Sequence, residues 1–102
     1  MQALLTLAPP VAHVRLDGQF TYEAHRAFKE ATTPALEDAA ISQIEIDFAL
    51  VSYLDSAALG MLLLLNERAG SKTVRLVNAK GTVRSVLEIA NFGKIFEIEY
   101  TG

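Results

Sequence analysis

Three short segments of this chain alternate polar with apolar residues: His13-Val14-Arg15-Leu16-Asp17, Ile44-Glu45-Ile46-Asp47-Phe48 and Val74-Arg75-Leu76-Val77. A period of two makes each a β-strand with one dry and one wet face. Strands buried on both faces read instead as unbroken apolar runs. The helices are therefore expected mostly on one side of the sheet. Between the alternating segments the spacing turns helical. Thr21 is placed to cap a helix that sends Tyr22, Phe28 and Ala31 inward. Pro34 lacks an N–H and its ring crowds the preceding turn. That stretch reads either as two short helices, the second starting at Thr33-Pro34, or as one kinked helix.

A strongly apolar helix is predicted from Ser56 to about Ala69, with Gly70 as its stop. A third, roughly Lys80 to Asn91, sets Val83, Val86, Leu87 and Ala90 inward, and Gly93 follows it. Gln2–Ala8 and Lys94–Tyr100 complete the strands, with a turn at Pro9-Pro10. The order is β-β-α-β-α-β-α-β. Strand–helix–strand alternation favours right-handed parallel crossovers, while the short proline link makes the first two strands antiparallel. The expected fold is α/β, an open sandwich with a mixed sheet, as a single domain over residues 1–102.

Charge and composition exclude several function classes. Nine Lys plus Arg stand against 12 Asp plus Glu, a net charge of −3 with both signs scattered along the chain. Such a chain lacks the cationic footprint that grips phosphate backbones, so no nucleic-acid partner is expected. The absence of Cys excludes disulfides, thiol catalysis and zinc–thiolate sites, and fits a reducing compartment. Met1–Leu7 is apolar but lacks a basic flank and is followed by Pro9-Pro10, so it reads as a strand and not as a signal peptide. The longest apolar run, Ala57 to Leu65, falls far short of the ~20 residues of a membrane span. A cytoplasmic protein without membrane association is expected.

The informative stretch runs from Ile44 to Gly60. A strand ends, a short connector crosses the rim of the sheet, and Asp55-Ser56 opens a helix. Ser56 then sits where unpaired N–H groups and the positive end of the helix dipole point outward, a place that tolerates an added phosphate. At about 100° per residue, Ala58, Leu62, Leu65 and Ala69 form one stripe, the natural core face. Ser56, Gly60, Leu63, Leu64 and Glu67 fall near the opposite side. Two leucines turned away from the core beside an exposed hydroxyl read as a docking surface. The alternatives are that the third helix or a loop covers them, and that Ser56 is simply an N-cap. Asp47, read as the end of its strand, and Asp55 would make the local field negative.

No constellation of catalytic residues is evident, and the chain is not expected to be an enzyme. Ser56 does not stand in a Gly-x-Ser-x-Gly elbow, and no general base is placed beside it. His13 and His25 are too few for a triad or a metal site, and strand-end and cap roles account for Asp47 and Asp55 without a magnesium ion. No phosphate-cradling glycine loop occurs, so no cofactor and no metal are expected. Lys72, Arg75, Lys80 and Arg84 cluster in sequence as a solvated face or a second docking patch.

Taken together these residues resemble the STAS domains, and among them the stand-alone anti-sigma factor antagonists. The likeness rests on Ile44-Glu45-Ile46-Asp47-Phe48, a connector, then Leu54-Asp55-Ser56-Ala57-Ala58-Leu59-Gly60. Leu16-Asp17-Gly18-Gln19-Phe20, Ala69-Gly70 before Val74–Val77, and Ile89-Ala90-Asn91-Phe92 with Phe96 extend it over almost the whole chain. The resemblance implies partner switching. The unphosphorylated protein binds an anti-sigma factor and frees the sigma factor. A serine kinase of GHKL type, often the anti-sigma factor itself, phosphorylates the serine matching Ser56, and a PP2C-type phosphatase removes the phosphate. Asp55, Ser56, Ala57, Gly60, Leu63, Leu64, Glu67, Gln19 and Thr21 are the implied contact residues. Many family members carry an acid shortly after the glycine matching Gly18, where this chain has Gln19-Phe20-Thr21. The alternative is a STAS scaffold or adaptor subunit of a signalling or lipid-transport complex.

Overall fold

The alternating segments become adjacent strands of one five-stranded sheet in a computed structural model that describes residues 1–101. The strands β1 (Gln2–Ala8), β2 (Val11–Phe20), β3 (Gln43–Leu54), β4 (Thr73–Ala79) and β5 (Glu97–Tyr100) lie side by side in chain order. β1 is antiparallel to β2, and every later pair is parallel. The parallel crossovers are made by α1 (His25–Glu37), α2 (Ser56–Ala69) and α3 (Gly81–Ile89). Because each parallel strand is added on the same side of the last, right-handed crossovers bring the helices to one face. Val14 and Leu16 of β2, Ile44 and Ile46 of β3 and Leu76 of β4 share a single apolar cluster with Phe28, Leu62 and Leu87 of the three helices. The opposite face is polar. His13 stands 3.0 Å from Glu45, and Arg75 reaches Glu45, Glu97 and Glu99. The α/β open sandwich is the expected one.

Three details differ from the sequence reading. Thr21 makes no side-chain cap; a 3₁₀ turn, Tyr22–Ala24, leads into α1, and Tyr22 is 74 % exposed instead of inward. Of the two alternatives at Pro34 the single helix is the one formed, and the two short helices are not: α1 continues through the proline. The proline is on the solvent side, where the carbonyl it leaves unpaired can bond to water. Just before it, the hydroxyls of Thr32 and Thr33 donate to the carbonyls of Phe28 and Lys29 at 2.9 and 2.8 Å. Finally, the four basic residues between Lys72 and Arg84 form no common patch. Lys72 Nζ donates to the carbonyls of Asp38 and Ile41, at 2.7 and 2.5 Å, and Arg75 lies among carboxylates on the sheet. Arg84 stacks over the Tyr100 ring at 4.5 Å.

The expected connector after Phe48 is itself strand: β3 runs on to Leu54, paired with the end of β2. Two register shifts hide this in the sequence. Arg15 faces Asp47 but Asp17 faces Leu50, and Gly18 faces Val51 but Gln19 faces Tyr53. Each shift inserts an extra residue into β3, as a β-bulge does, and each breaks the alternation. At the first, the Asp47 carboxylate accepts from the Ala49 N–H at 2.9 Å and from Asn78 Nδ2 at 3.0 Å. Opposite the second, Gly18 has a φ of +110°, a backbone conformation that residues with a Cβ rarely adopt. β4 stops pairing with β3 at Asp47–Val77, and α3 packs against β3. This extension carries the chain to the rim where α2 begins.

Candidate functional site

Asp55 organises the start of α2. Its backbone is extended, with φ −109° and ψ −179°, and its Oδ1 accepts from the Ala58 N–H at 3.0 Å. Its other oxygen accepts from the Tyr22 N–H at 3.3 Å, and its own N–H donates to the Phe20 carbonyl at 3.2 Å. One residue thus joins the end of β2, the 3₁₀ turn and the first turn of α2. It follows that Asp55, and not Ser56, is the N-cap. Ser56 is the first helical residue and is exposed, and its hydroxyl has no hydrogen-bond partner among the described residues. Asp55 also takes the Leu59 N–H through its carbonyl, at 3.3 Å. The N–H groups of Ser56 and Ala57 are left at the positive end of the helix.

Replacing Asp55 by alanine is expected to lower the unfolding free energy by about 1–2 kcal/mol, the usual cost of losing a cap. Urea unfolding measures it. A loss below ~0.5 kcal/mol would show that the contacts to Ala58 and Tyr22 contribute little in solution.

The rest of α2 divides as the wheel predicts. Ala58, Leu62, Leu65 and Ala69 are buried, and Met61 joins them. Ser56, Gly60 and Glu67 are exposed, and Leu63 and Leu64 are 41 % and 44 % exposed, so neither α3 nor a loop covers them. Leu64 turns toward α1 and lines a groove with Phe28, Lys29, Met61, Leu65 and Arg68. Ala57 is only half-buried, and Thr21 likewise. Gln19 is exposed at the end of β2, opposite Tyr53. Gly60 is the unusual member: a Cβ there would meet nothing within 4 Å. An exposed helical glycine costs about 1 kcal/mol relative to alanine, and here the fold gains no close packing in return.

Two aromatic residues stand near Ser56, of which the sequence reading turns Tyr22 inward and assigns Tyr53 no role. Tyr22 is held beside Asp55 by its N–H, and Tyr53, 47 % exposed, stands two residues before Asp55 at the end of β3. The bulges conceal the outward direction of Tyr53, and the missing helical turn at Thr21 conceals that of Tyr22. For Tyr53 the signal is a break in alternation after Phe48 followed by an aromatic two residues before Asp55-Ser56. Asp47 is a correction in the other direction. It lies within β3 and not at its end, roughly 20 Å of strand from Leu54 at about 3.3 Å per residue. Its carboxylate is held by Ala49 and Asn78, so of the two acids expected to set the field at Ser56 only Asp55 adjoins it.

With this geometry established, comparison with known proteins places the fold. A STAS-domain containing protein of Pseudomonas aeruginosa, strain UCBPP-PA14, is 38 % identical over 89 residues, 83 % of this chain and 84 % of that protein. An anti-sigma factor antagonist from Mycobacterium paratuberculosis superposes with a TM-score of 0.86 at 20 % identity, over 96 % of this chain and 84 % of that one. The Bacillus cell fate determinant SpoIIAA in its phosphorylated form gives a TM-score of 0.73 at 20 % identity, over 98 % and 91 % of the two chains. The unphosphorylated form of SpoIIAA gives 0.71 at 19 % identity, over 98 % and 88 %. The family model described as "Mlab, STAS domain" matches residues 4–98, and the chain belongs to the STAS domain family.

Proposed function

We propose that this protein is an anti-sigma factor antagonist that acts by partner switching. Unphosphorylated, it docks an anti-sigma factor on the face formed by Ser56, Gly60, Leu63 and Glu67 with the adjoining Gln19 and Thr21, and the sigma factor is released. A GHKL-type serine kinase adds phosphate to Ser56 and ends the contact; a PP2C-type phosphatase restores it. The role is non-catalytic and cytoplasmic. The single observation that carries this reading is the free, exposed hydroxyl of Ser56 beside an aspartate that already caps the helix. Capping by Asp55 leaves the serine without a structural duty. The hydroxyls of Ser52 and Ser85 each point instead to a backbone carbonyl, of Gly18 and Gly81; Ser71 is exposed as Ser56 is, but it stands in a turn and not at the head of a helix. SpoIIAA, known in phosphorylated and unphosphorylated forms, supports the reading by analogy of fold.

A second reading, a scaffold or adaptor subunit in which Ser56 is never modified, is favoured by the family model, whose description names Mlab. Phosphate mapping separates the two. Incubation with ATP and an extract of the source cells, followed by mass spectrometry, is expected to find phosphate on Ser56 and none on Ser52, Ser71 or Ser85. These three are also exposed, so accessibility alone would label them as well. An unmodified Ser56 in a preparation that phosphorylates other substrates would favour the scaffold.

A further inference from the structure

The two edges of the sheet are protected unequally. β5 has four residues, and two of them are Glu97 and Glu99. Short length and charge are the usual devices that stop an edge strand from pairing with another chain. β1 has seven residues, and no charged side chain occurs from Met1 to Ala12. No proline lies within it, and its ladder with β2 runs from Gln2 to Ala8 without a register shift, so no bulge twists the edge away. Leu4 and Leu7 are 64 % and 43 % exposed. Among the described residues, the outer N–H and C=O groups of β1 have no strand beside them.

We infer that two copies of this chain pair antiparallel through β1, joining their sheets across a two-fold axis. A strand is what the open backbone groups of β1 demand, and β1 itself fits that demand. A two-fold perpendicular to the sheet keeps both helix layers on one side. With Leu5 opposite its counterpart, all seven residues pair: Leu4 faces Thr6, Ala3 faces Leu7 and Gln2 faces Ala8. No like charges meet, and apolar and small side chains stand opposite each other on both faces. The helix layer accommodates the approach. α1 is the helix packed on β1. Its groove side carries His25, Lys29 and Leu36. At about 100° per residue, the side turned away from α2 carries Ala27, Glu30 and Pro34. Ala27 and Pro34 are small, and the Glu30 carboxylate is paired with Arg26 of its own helix at 3.3 Å, which suits two helices at the usual spacing of about 8–10 Å. The pairing makes no use of Ser56 and is independent of the proposed switch.

Sedimentation equilibrium tests it, spanning a dissociation constant on the order of 10 µM, the range set by roughly seven cross-strand hydrogen bonds less the entropy of association. The unmodified protein is expected to dimerise. Leu4→Lys/Thr6→Lys sets lysine against lysine across the axis and is expected to give monomer; both side chains are exposed, and circular dichroism checks that the fold persists. Leu4→Lys/Thr6→Glu sets lysine against glutamate and is expected to restore the dimer. A monomeric unmodified protein would overturn the inference and leave the edge to a strand from another protein. A lysine pair that still dimerises, or a Lys/Glu variant as monomeric as the lysine pair, would overturn it too.

Discussion

Replacing Ser56 by glutamate is expected to weaken binding of the anti-sigma factor by at least about a hundredfold, whereas Ser56→Ala binds as the unmodified protein does and cannot be switched off. The physical reason is an asymmetry between the fold and the interface. Within the domain, an anion at the first position of α2 meets free N–H groups and the positive end of the helix, so it is tolerated or slightly stabilising, by about 0.3–1 kcal/mol. In the proposed interface the same anion adjoins Asp55 and would face a partner surface that accepts a neutral hydroxyl. An unpaired buried charge costs about 3–5 kcal/mol, and each 1.4 kcal/mol is a factor of about ten in affinity. Phosphoserine carries about −1.5 to −2 charges and acts more strongly than glutamate. Isothermal calorimetry on the two variants and the phosphorylated protein measures the difference. Equal affinities for all three would end the switching proposal, while unfolding curves that stay together exclude misfolding as the cause.

Leu62→Ala is expected to lower the unfolding free energy by about 2–5 kcal/mol, while Leu63→Ala changes it by less than about 1 kcal/mol. The residues are adjacent in sequence and differ only in where α2 points them. Leu62 is fully buried, and its truncation removes apolar contact and leaves a cavity among packed neighbours. Leu63 is 41 % exposed and belongs to the proposed docking face. The loss at Leu62 is a large part of the roughly 5–15 kcal/mol that holds a domain folded, so this variant is expected to be partly unfolded at growth temperature. Leu63→Ala is expected to keep the fold and lose partner affinity. Urea unfolding and calorimetry together read the two effects. Similar destabilisation by both would mean that α2 is rotated from the orientation described.

Much of the site was legible because α2 is a regular helix with strong local signals. The stripe from Ala58 to Ala69 follows from helical period alone, and Gly70 ends the helix with φ +60°, as a glycine stop should. The strand cores at Val14, Ile46 and Leu76 follow from alternation in the same way. Legibility failed where a residue's role depended on something distant in sequence. With Thr21 as a cap, helical spacing turns Tyr22 inward. The contact that decides its place is a hydrogen bond from its N–H to Asp55, 33 residues away. At Pro34 the sequence leaves two short helices and one kinked helix both open, because a proline removes one hydrogen bond; the single helix forms because the proline lies on the exposed side while the opposite face of α1 is packed.

By itself, then, the amino-acid order determined the period of each element, the apolar faces, the order of strands and helices, and the exposure of Ser56 at the head of α2. These are local properties, set by backbone geometry and the spacing of side chains within a few residues. The tertiary structure alone decided how far β3 extends, where Asp47 is used and which aromatics stand beside the serine. Each of these depends on register between strands and on hydrogen bonds between segments some 30 residues apart, where Asn78 meets Asp47 and Tyr22 meets Asp55. No local period records such meetings, because they exist only once the sheet has closed around them.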